Sequence, residues 1–199
     1  MLAYEIEMLK AVPVDEIAVV VGYKDSVVKK HLENYRVTIA ANRHFSETEM
    51  LDSVLLGVEK LNTKPDRLLV LPADTPLVSE KTCSTLLEAD CTIAAIPRYN
   101  GLSGHPIMLT AKALRLLADY DGGNGMRGFV ANNSDGIAYI DVPDPAICMR
   151  ARGDKFIEQL TAYEIERRTD GRLHAEIEAN LALGVTVMNA ELSRVLNLV

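Results

Sequence analysis

The chain of 199 residues is 48% hydrophobic and 25% charged, and its formal net charge is -7 at pH 7. These values describe an ordinary globular protein with one sizeable domain, and the acidic balance disfavours a broad nucleic-acid-binding surface. The three cysteines show no ligand spacing, the start lacks a signal-peptide pattern and no apolar run reaches membrane-spanning length, so we expect a cytoplasmic protein.

The first part of the chain alternates between helix and strand patterns. Leu2, Ile6 and Leu9 lie at helical spacing and predict an opening helix, with Glu5 and Glu7 outside this apolar stripe. Strand and helix patterns then alternate over residues 16–22, 24–32, 36–42 and 49–61. Such alternation predicts βαβ crossovers, so we expect an α/β fold of the three-layer, Rossmann-like type with a mostly parallel sheet.

The most informative stretch is Arg67–Val78, an aliphatic run that ends in Asp74. Residues 68–71 are apolar without alternation, which is typical of a parallel strand covered on both faces, and prolines then end the run. In open α/β sheets ligands bind outside the carboxyl ends of the strands, where a carboxylate can hold Mg²⁺ against substrate phosphates. The alternative is that Asp74 forms an Asx turn or caps a helix that begins near Ser79.

The second part of the chain contains further strand and helix patterns, then a glycine-rich loop. The predicted elements are a helix at 79–88, a strand at 91–97, a turn-rich loop at 98–104, an extended run at 105–110, a helix at 111–118 and a strand at 137–142. Between the last two, the segment Asp119–Gly128 contains four glycines. Its backbone N–H groups and Arg127 are suited to holding an anion, although glycines also serve turns and helix caps.

The character of the chain changes after residue 150. Charged amphipathic helix patterns cover residues 155–168, 173–183 and 190–199. We therefore divide the chain into a domain over residues 1–150 and a C-terminal helical extension over residues 151–199.

Several motifs stand in the order found in one protein family. They are Val19–Gly22, Asn42 with Thr48–Val54, Leu71–Val78, Gly104–Pro106 and the glycine loop up to Gly128. With these motifs the chain resembles the molybdenum cofactor cytidylyltransferases, within the wider superfamily of molybdopterin-nucleotide and sugar-nucleotide transferases. The resemblance extends over residues 1–147 and implies a sheet of the nucleotide-diphospho-sugar transferase type.

The resemblance also implies a reaction and its partners. The reaction is transfer of CMP, or another nucleoside monophosphate, from an NTP to the phosphate of molybdopterin, with release of pyrophosphate. CTP is the favoured nucleotide and Mg²⁺ is the cofactor. Alignment of the phosphates and neutralisation of their charge supply most of the catalysis in such a transfer.

The site residues follow from the same resemblance. Asp74 is the catalytic metal ligand. The implied substrate-binding residues are Asn42, Ser53, Gly104, His105, Pro106 and Arg127. From the residues alone, Ser53 also fits a solvent-facing helix position and His105 a turn.

The sequence departs from the family pattern at two points. Family members begin with a strand and a glycine-rich loop whose arginine and lysine grip the triphosphate, whereas Met1 here aligns with the helix after that loop. Where relatives carry Asp-x-Asp-Thr-Pro, this chain reads Arg150–Asp154, so an arginine replaces a metal ligand. We therefore expect an N-terminally truncated domain with an incomplete metal site and two unpaired sheet edges that favour self-association.

Two further interpretations remain open at this point. Loss of the phosphate loop favours a catalytically inactive homologue that binds cofactor, nucleotide or a partner protein. A sugar-1-phosphate nucleotidylyltransferase shares the fold but is disfavoured by the glycine loop before Arg127. Residues 172–199 resemble the opening of the winged-helix domain of molybdate-responsive regulators.

Overall fold

The computed structural model describes residues 2–121 and 123–149. Arg150, Asp154, the predicted C-terminal helices and the winged-helix resemblance lie outside the described residues, so the domain boundary near residue 150 stays a prediction. The helices and strands are α1 Leu2–Lys10, β1 Ala18–Val21, α2 Asp25–Leu32, β2 Thr38–Ala41, α3 Met50–Lys60, β3 Arg67–Val70, α4 Glu80–Glu88, β4 Ala94–Tyr99, β5 Leu102–Ser103, β6 Ile107–Thr110, α5 Ala111–Ala118, α6 Gly125–Asn132 and β7 Ile137–Asp141. Short 3-10 turns occupy Ser134–Gly136 and Pro145–Cys148.

Most predicted elements are present within a few residues of their expected ends, with two differences. The turn-rich loop at 98–104 contains the end of β4 and the short strand β5, which form a hairpin. The glycine-rich segment contains the first turn of α6, which the sequence did not predict because glycine is a poor helix former. Gly128 is needed there, since a Cβ atom would collide with the carbonyl oxygen of Gly123.

The strands form two groups with different pairing. β1 and β2 pair in parallel, whereas the second sheet has the order β3-β6-β4-β5 with β7 beside β4. β6 is antiparallel to both of its neighbours, β5 is antiparallel to β4, and β7 is parallel to β4. Since β6 is reversed against β3 and β4, the strands β3, β4 and β7 point the same way. The α/β fold is confirmed, but the mostly parallel sheet only in part.

Helix α1 packs against strands from both groups. Ile6 belongs to a buried cluster with Val19 of β1. Leu9, one turn later, packs with Leu69 of β3 against a second cluster around Val12. Thus α1 spans β1 and β3.

Helix α3 packs on the opposite face of the same strands. A Cβ atom added to Gly57 would lie 3.0 Å from the side chain of Val20. Leu51 at the start of α3 shares a buried cluster with Val70 of β3. Because neighbouring residues of a strand face opposite sides, these contacts place α1 and α3 on different sides of the strands.

Strands β1 and β3 belong to different sheets. Among the described residues, β1 pairs only with β2, and β3 pairs only with β6. The expected loss of a first strand, with two unpaired edges that favour self-association, stays a prediction. None of the helices in the described ranges is both long and apolar enough to cross a membrane.

Candidate functional site

Asn42, at the carboxyl end of β2, holds a polar cluster together. Its backbone N–H donates to the carbonyl oxygen of Val21 at 2.8 Å and extends the pairing of β1 with β2. Its side-chain Nδ2 donates to Thr48 Oγ1 at 2.9 Å and to Ser53 Oγ at 3.1 Å, while Oδ1 accepts from the N–H of His44 at 3.0 Å. Asn42 is only 8% exposed. The structure thus brings Asn42 and Ser53 together, with Asn42 fixing the loop before α3.

A pocket of about 440 Å³ opens where β1 and β2 end. It is lined by Gly22, Tyr23, Lys24, Asp25, Ala41, Asn42, Arg43 and Phe45. The rings of Tyr23 and Phe45 meet edge to face with centroids 6.1 Å apart, and Lys24 Nζ lies 5.1 Å from the Tyr23 centroid. Aromatic rings beside the cations of Lys24 and Arg43 suit a ligand that joins a planar ring to negatively charged groups.

Sequence reasoning missed these pocket residues apart from Asn42. The available signal was their position, because Gly22–Asp25 and Asn42–Phe45 follow two neighbouring parallel strands. Carboxyl ends of such strands meet at the same edge of a sheet, where α/β proteins bind ligands.

Asp74 lies half-buried in a turn that follows β3. Both the backbone N–H and the hydroxyl of Thr75 donate to the carbonyl oxygen of Pro72, at 3.0 and 2.8 Å. The next helix is capped by Ser79, whose Oγ accepts from the N–H of Thr82 at 3.2 Å. Asp74 is therefore not the cap of α4, which removes one of the two alternatives for it.

Asp144 secures the start of α4 and was missed by sequence reasoning. Its Oδ2 accepts from Ser79 N at 2.9 Å, Ser79 Oγ at 2.7 Å and Thr82 Oγ1 at 2.7 Å, and its Oδ1 accepts from Ala146 N at 3.1 Å. It is only 4% exposed. Since α4 follows directly on the Asp74 turn, Asp144 helps to position that turn. The sequence showed only an aspartate between two prolines.

Glu5 of α1 is buried, contrary to its expected position outside the apolar stripe. It is 3% exposed, whereas Glu7 is exposed as predicted. Oε1 of Glu5 has no hydrogen-bond partner among the described residues. Burial raises the pKa of Glu5 to about 8; the positive α-amino group of the chain lowers it, and the nearby charge of Asp74 raises it further. Asp74 is thus near enough for its charge to act on Glu5.

Gly104, His105 and Pro106 pack against the 3-10 turn at Pro145–Cys148. A Cβ atom at Gly104 would collide with the carbonyl group of Ile147, and the N–H of His105 donates to that same oxygen at 2.9 Å. His105 is half-buried and Pro106 is fully buried. Packing therefore accounts for Gly104 and Pro106, whereas the half-buried His105 is the member of the motif with a polar side chain.

Arg127 is exposed on α6, and a carboxylate lies near the start of that helix. An added Cβ atom at Gly125 would lie 2.5 Å from Oε2 of Glu49. The carboxylate of Glu49 therefore lies beside the glycine loop that was predicted to hold an anion.

The described residues offer hard oxygen donors for a cation. Within residues 2–121 and 123–149 there is no cluster of three or more His, Cys, Asp or Glu side chains that could hold a metal ion. Among the residues that the structure describes, Oε1 of Glu5 is a buried polar atom without a hydrogen-bond partner, which is an exception to the rule that such atoms are paired. Carboxylate oxygens suit Mg²⁺ or Mn²⁺, which usually take one or two of them and complete their coordination with water and phosphates.

Polar residues at the carboxyl ends of the strands lie where α/β proteins bind their ligands. Residues 1–137 match the model of the MobA-like NTP transferase domain, and the chain belongs to this family. Its domain is of the nucleotidyltransferase type, which confirms the predicted resemblance at this coarser level. No curated protein sequence matches the chain.

Solved structures share the fold at low sequence identity. A nucleotidyl transferase from Methanothermobacter is 20% identical, with a TM-score of 0.66 over 84% of this chain and 81% of that one. The Rv0371c protein of Mycobacterium tuberculosis in complex with manganese is 15% identical, with a TM-score of 0.62 over 82% and 86%. A CMP:2-keto-3-deoxy-manno-octonic acid synthetase complexed with CTP is 12% identical, with a TM-score of 0.62 over 82% and 88%.

Proposed function

We propose that this protein transfers a nucleoside monophosphate, with CTP as the favoured donor, to the phosphate of molybdopterin and releases pyrophosphate. The observation that carries the proposal is the pocket at the ends of β1 and β2, where aromatic rings, two cations and the Asn42 cluster lie together in a domain of the NTP transferase family. A fold relative complexed with CTP supports the choice of nucleotide.

The reaction depends on alignment of the reacting phosphates and not on strong acid or base catalysis. A phosphate oxygen of the acceptor attacks the α-phosphorus of CTP, a new P–O bond forms, and the bond to the β-phosphate breaks as pyrophosphate leaves. The negative charge spread over these groups must be held and neutralised in line. Residues that bind and orient both substrates therefore carry the reaction.

The nucleotide is assigned to the pocket. Tyr23 and Phe45 offer ring faces and edges for the base, and Lys24 and Arg43 offer positive charge for the phosphates. Ser53 Oγ accepts a hydrogen bond from Asn42. The Ser53 hydroxyl can therefore donate its O–H to another acceptor, such as a ribose or phosphate oxygen. Asn42 acts here mainly by positioning.

The cation is assigned to Asp74, and the acceptor is assigned to the Gly104–Pro106 motif and Arg127. Asp74 would hold a divalent cation, Mg²⁺ in our proposal, and such an ion supplies charge neutralisation between the phosphates. The manganese in one fold relative supports a divalent cation. His105 and Arg127, which both retain exposed surface, are assigned to the molybdopterin phosphate and pterin ring, with Gly104 and Pro106 shaping the approach.

A direct assay tests the proposal. The full chain is incubated with Mg²⁺, CTP and molybdopterin, pyrophosphate release is followed, and ATP and GTP are compared with CTP. We expect release that is lowered about 100-fold or more in Asp74→Asn, because a neutral amide is a poor ligand for a hard cation. Release at the level of the Asp74→Asn control with every nucleotide would contradict transfer, and CTP binding without release would favour the inactive homologue. Faster release with a sugar 1-phosphate acceptor would favour the sugar-nucleotide alternative.

A further inference from the structure

We propose that Glu5 is a second carboxylate ligand, together with Asp74, of a divalent cation. This inference rests on the proposed function, since the cation is the one assigned there to Asp74. It adds a ligand from α1, a segment far from Asp74 in sequence.

Packing places the second turn of α1 near the end of β3. Leu9 packs with Leu69 and Leu71 against the cluster around Val12, so the second turn of α1 lies over β3. Glu5 lies one helical turn before Leu9, and Asp74 lies three residues beyond Leu71. The charge of Asp74 acts on Glu5, as expected for neighbouring carboxyl groups.

The surroundings of Glu5 do not explain a carboxyl group by packing alone. Its neighbour in sequence, Ile6, meets apolar side chains of β1, and an apolar residue at position 5 would be buried at lower cost. Instead a carboxyl group is 3% exposed and one of its oxygens has no hydrogen-bond partner among the described residues. Buried polar atoms in folded proteins are normally paired, so the exception needs an explanation, and a bound ion supplies one.

A divalent cation matches the chemistry of the pair. Two carboxylates closely spaced repel each other when both are ionised, and a doubly charged cation between them cancels that charge. Mg²⁺ and Mn²⁺ accept one or two protein carboxylates and fill the remaining positions with water and phosphate oxygens, whereas Ca²⁺ takes six to eight oxygen ligands. The pair therefore favours Mg²⁺ or Mn²⁺, with room left for a triphosphate.

Direct binding of Mn²⁺ tests the assignment without any substrate. The full chain is titrated at pH 7.5, and free Mn²⁺ is measured by its electron paramagnetic resonance signal. We expect one site that Mg²⁺ competes for, with affinity lowered about tenfold or more in both Glu5→Gln and Asp74→Asn. Glu7→Gln, on the exposed side of the same helix, is the matched control and keeps the affinity of the unchanged protein. Unchanged affinity in folded Glu5→Gln would overturn the proposal.

A second measurement uses the unchanged protein and avoids any effect of substitution on folding. Fe²⁺ with ascorbate and hydrogen peroxide produces radicals at the bound ion, which cut the backbone close to its ligands. Mass spectrometry should find two groups of cuts, one near Glu5 and one near Asp74, and excess Mg²⁺ should suppress both. Cuts near Asp74 alone, or no specific cuts, would contradict a ligand on α1.

The two assays separate this inference from the proposed function. If Mn²⁺ binding depends on Glu5 but the protein releases no pyrophosphate, the cation site is supported and the proposed reaction is contradicted. If the protein releases pyrophosphate but Glu5→Gln does not change its Mn²⁺ affinity, the proposed reaction is supported and Glu5 is not a ligand of the cation.

Discussion

Two carboxyl groups of this protein are buried to almost the same extent but in opposite surroundings. Asp144 is 4% exposed and accepts hydrogen bonds from Ser79, Thr82 and Ala146 at both oxygens. Glu5 is 3% exposed, and its Oε1 has no such partner among the described residues. Burial by itself therefore says little about the role of a carboxylate. The donors around it distinguish a group that stabilises the fold from one that costs stability and awaits a ligand.

The largest effect should come from ionising Glu5 in cation-free buffer. Because the folded pKa of about 8 lies above the ordinary value of 4.5, the folded state binds more protons than the unfolded chain between these limits. Its stability contribution is complete below about pH 4.5 and is lost as pH rises toward 8, by on the order of 4 kcal/mol. Urea unfolding at pH 5 and pH 8.5 should show this loss.

The control for this prediction is Glu5→Gln, which cannot ionise. The variant should lack that part of the pH dependence, while Glu7→Gln should keep it because Glu7 is exposed. Parallel stability curves for the unchanged protein and Glu5→Gln would mean that Glu5 is no more difficult to ionise when folded than when unfolded.

Removing the satisfied carboxylate should have the next largest effect. Asp144→Ala leaves the N–H and hydroxyl donors at the start of α4 without their acceptor, so we expect a loss of about 3 kcal/mol in the free energy of unfolding. Chemical denaturation measures it. Asp141→Ala, which removes an exposed ion pair with Arg98, is the control and should cost less than about 1 kcal/mol. Equal losses in the two variants would contradict an anchoring role for Asp144.

The smallest effect should come from the exposed charges of the pocket. Lys24→Gln and Arg43→Gln should each weaken CTP binding by roughly 3- to 10-fold, because screened surface cations contribute about 1 kcal/mol to phosphate binding. Titration calorimetry at low and high salt should show the difference shrinking as salt rises. Lys64→Gln, an exposed lysine outside the pocket, should bind CTP as the unchanged protein does. Affinity independent of both pocket cations would place the triphosphate elsewhere.

Local patterns predicted much of the fold and part of the site. The apolar run at residues 68–71 predicted a buried strand with Asp74 just beyond it, and Ser79 was foreseen as the start of a helix, which it caps. These features depend on residues close together in sequence, such as the N-cap hydroxyl and the N–H three residues later. The family motifs also predicted that the domain is of the nucleotidyltransferase type.

Features that depend on distant segments escaped prediction. The helix stripe at the start of the chain placed Glu5 outside the buried face, but α1 contacts strands from two groups and buries a wider face. Helix α6 was not predicted because glycine is a poor helix former. Gly128 is required by its close approach to Gly123 and not by helix propensity. The reversal of β6 between β3 and β4 has no local signature either.

The sequence by itself determined the α/β class, the order of most elements and the position of Asp74 at a strand end, because apolar periodicity and turn residues act over a few positions. Only the tertiary structure decided which distant groups act on one another, because burial and electrostatic coupling arise between segments that the sequence keeps far apart. The effect of the Asp74 charge on Glu5 and the hydrogen bonds of Asp144 at the start of α4 are the two clearest cases.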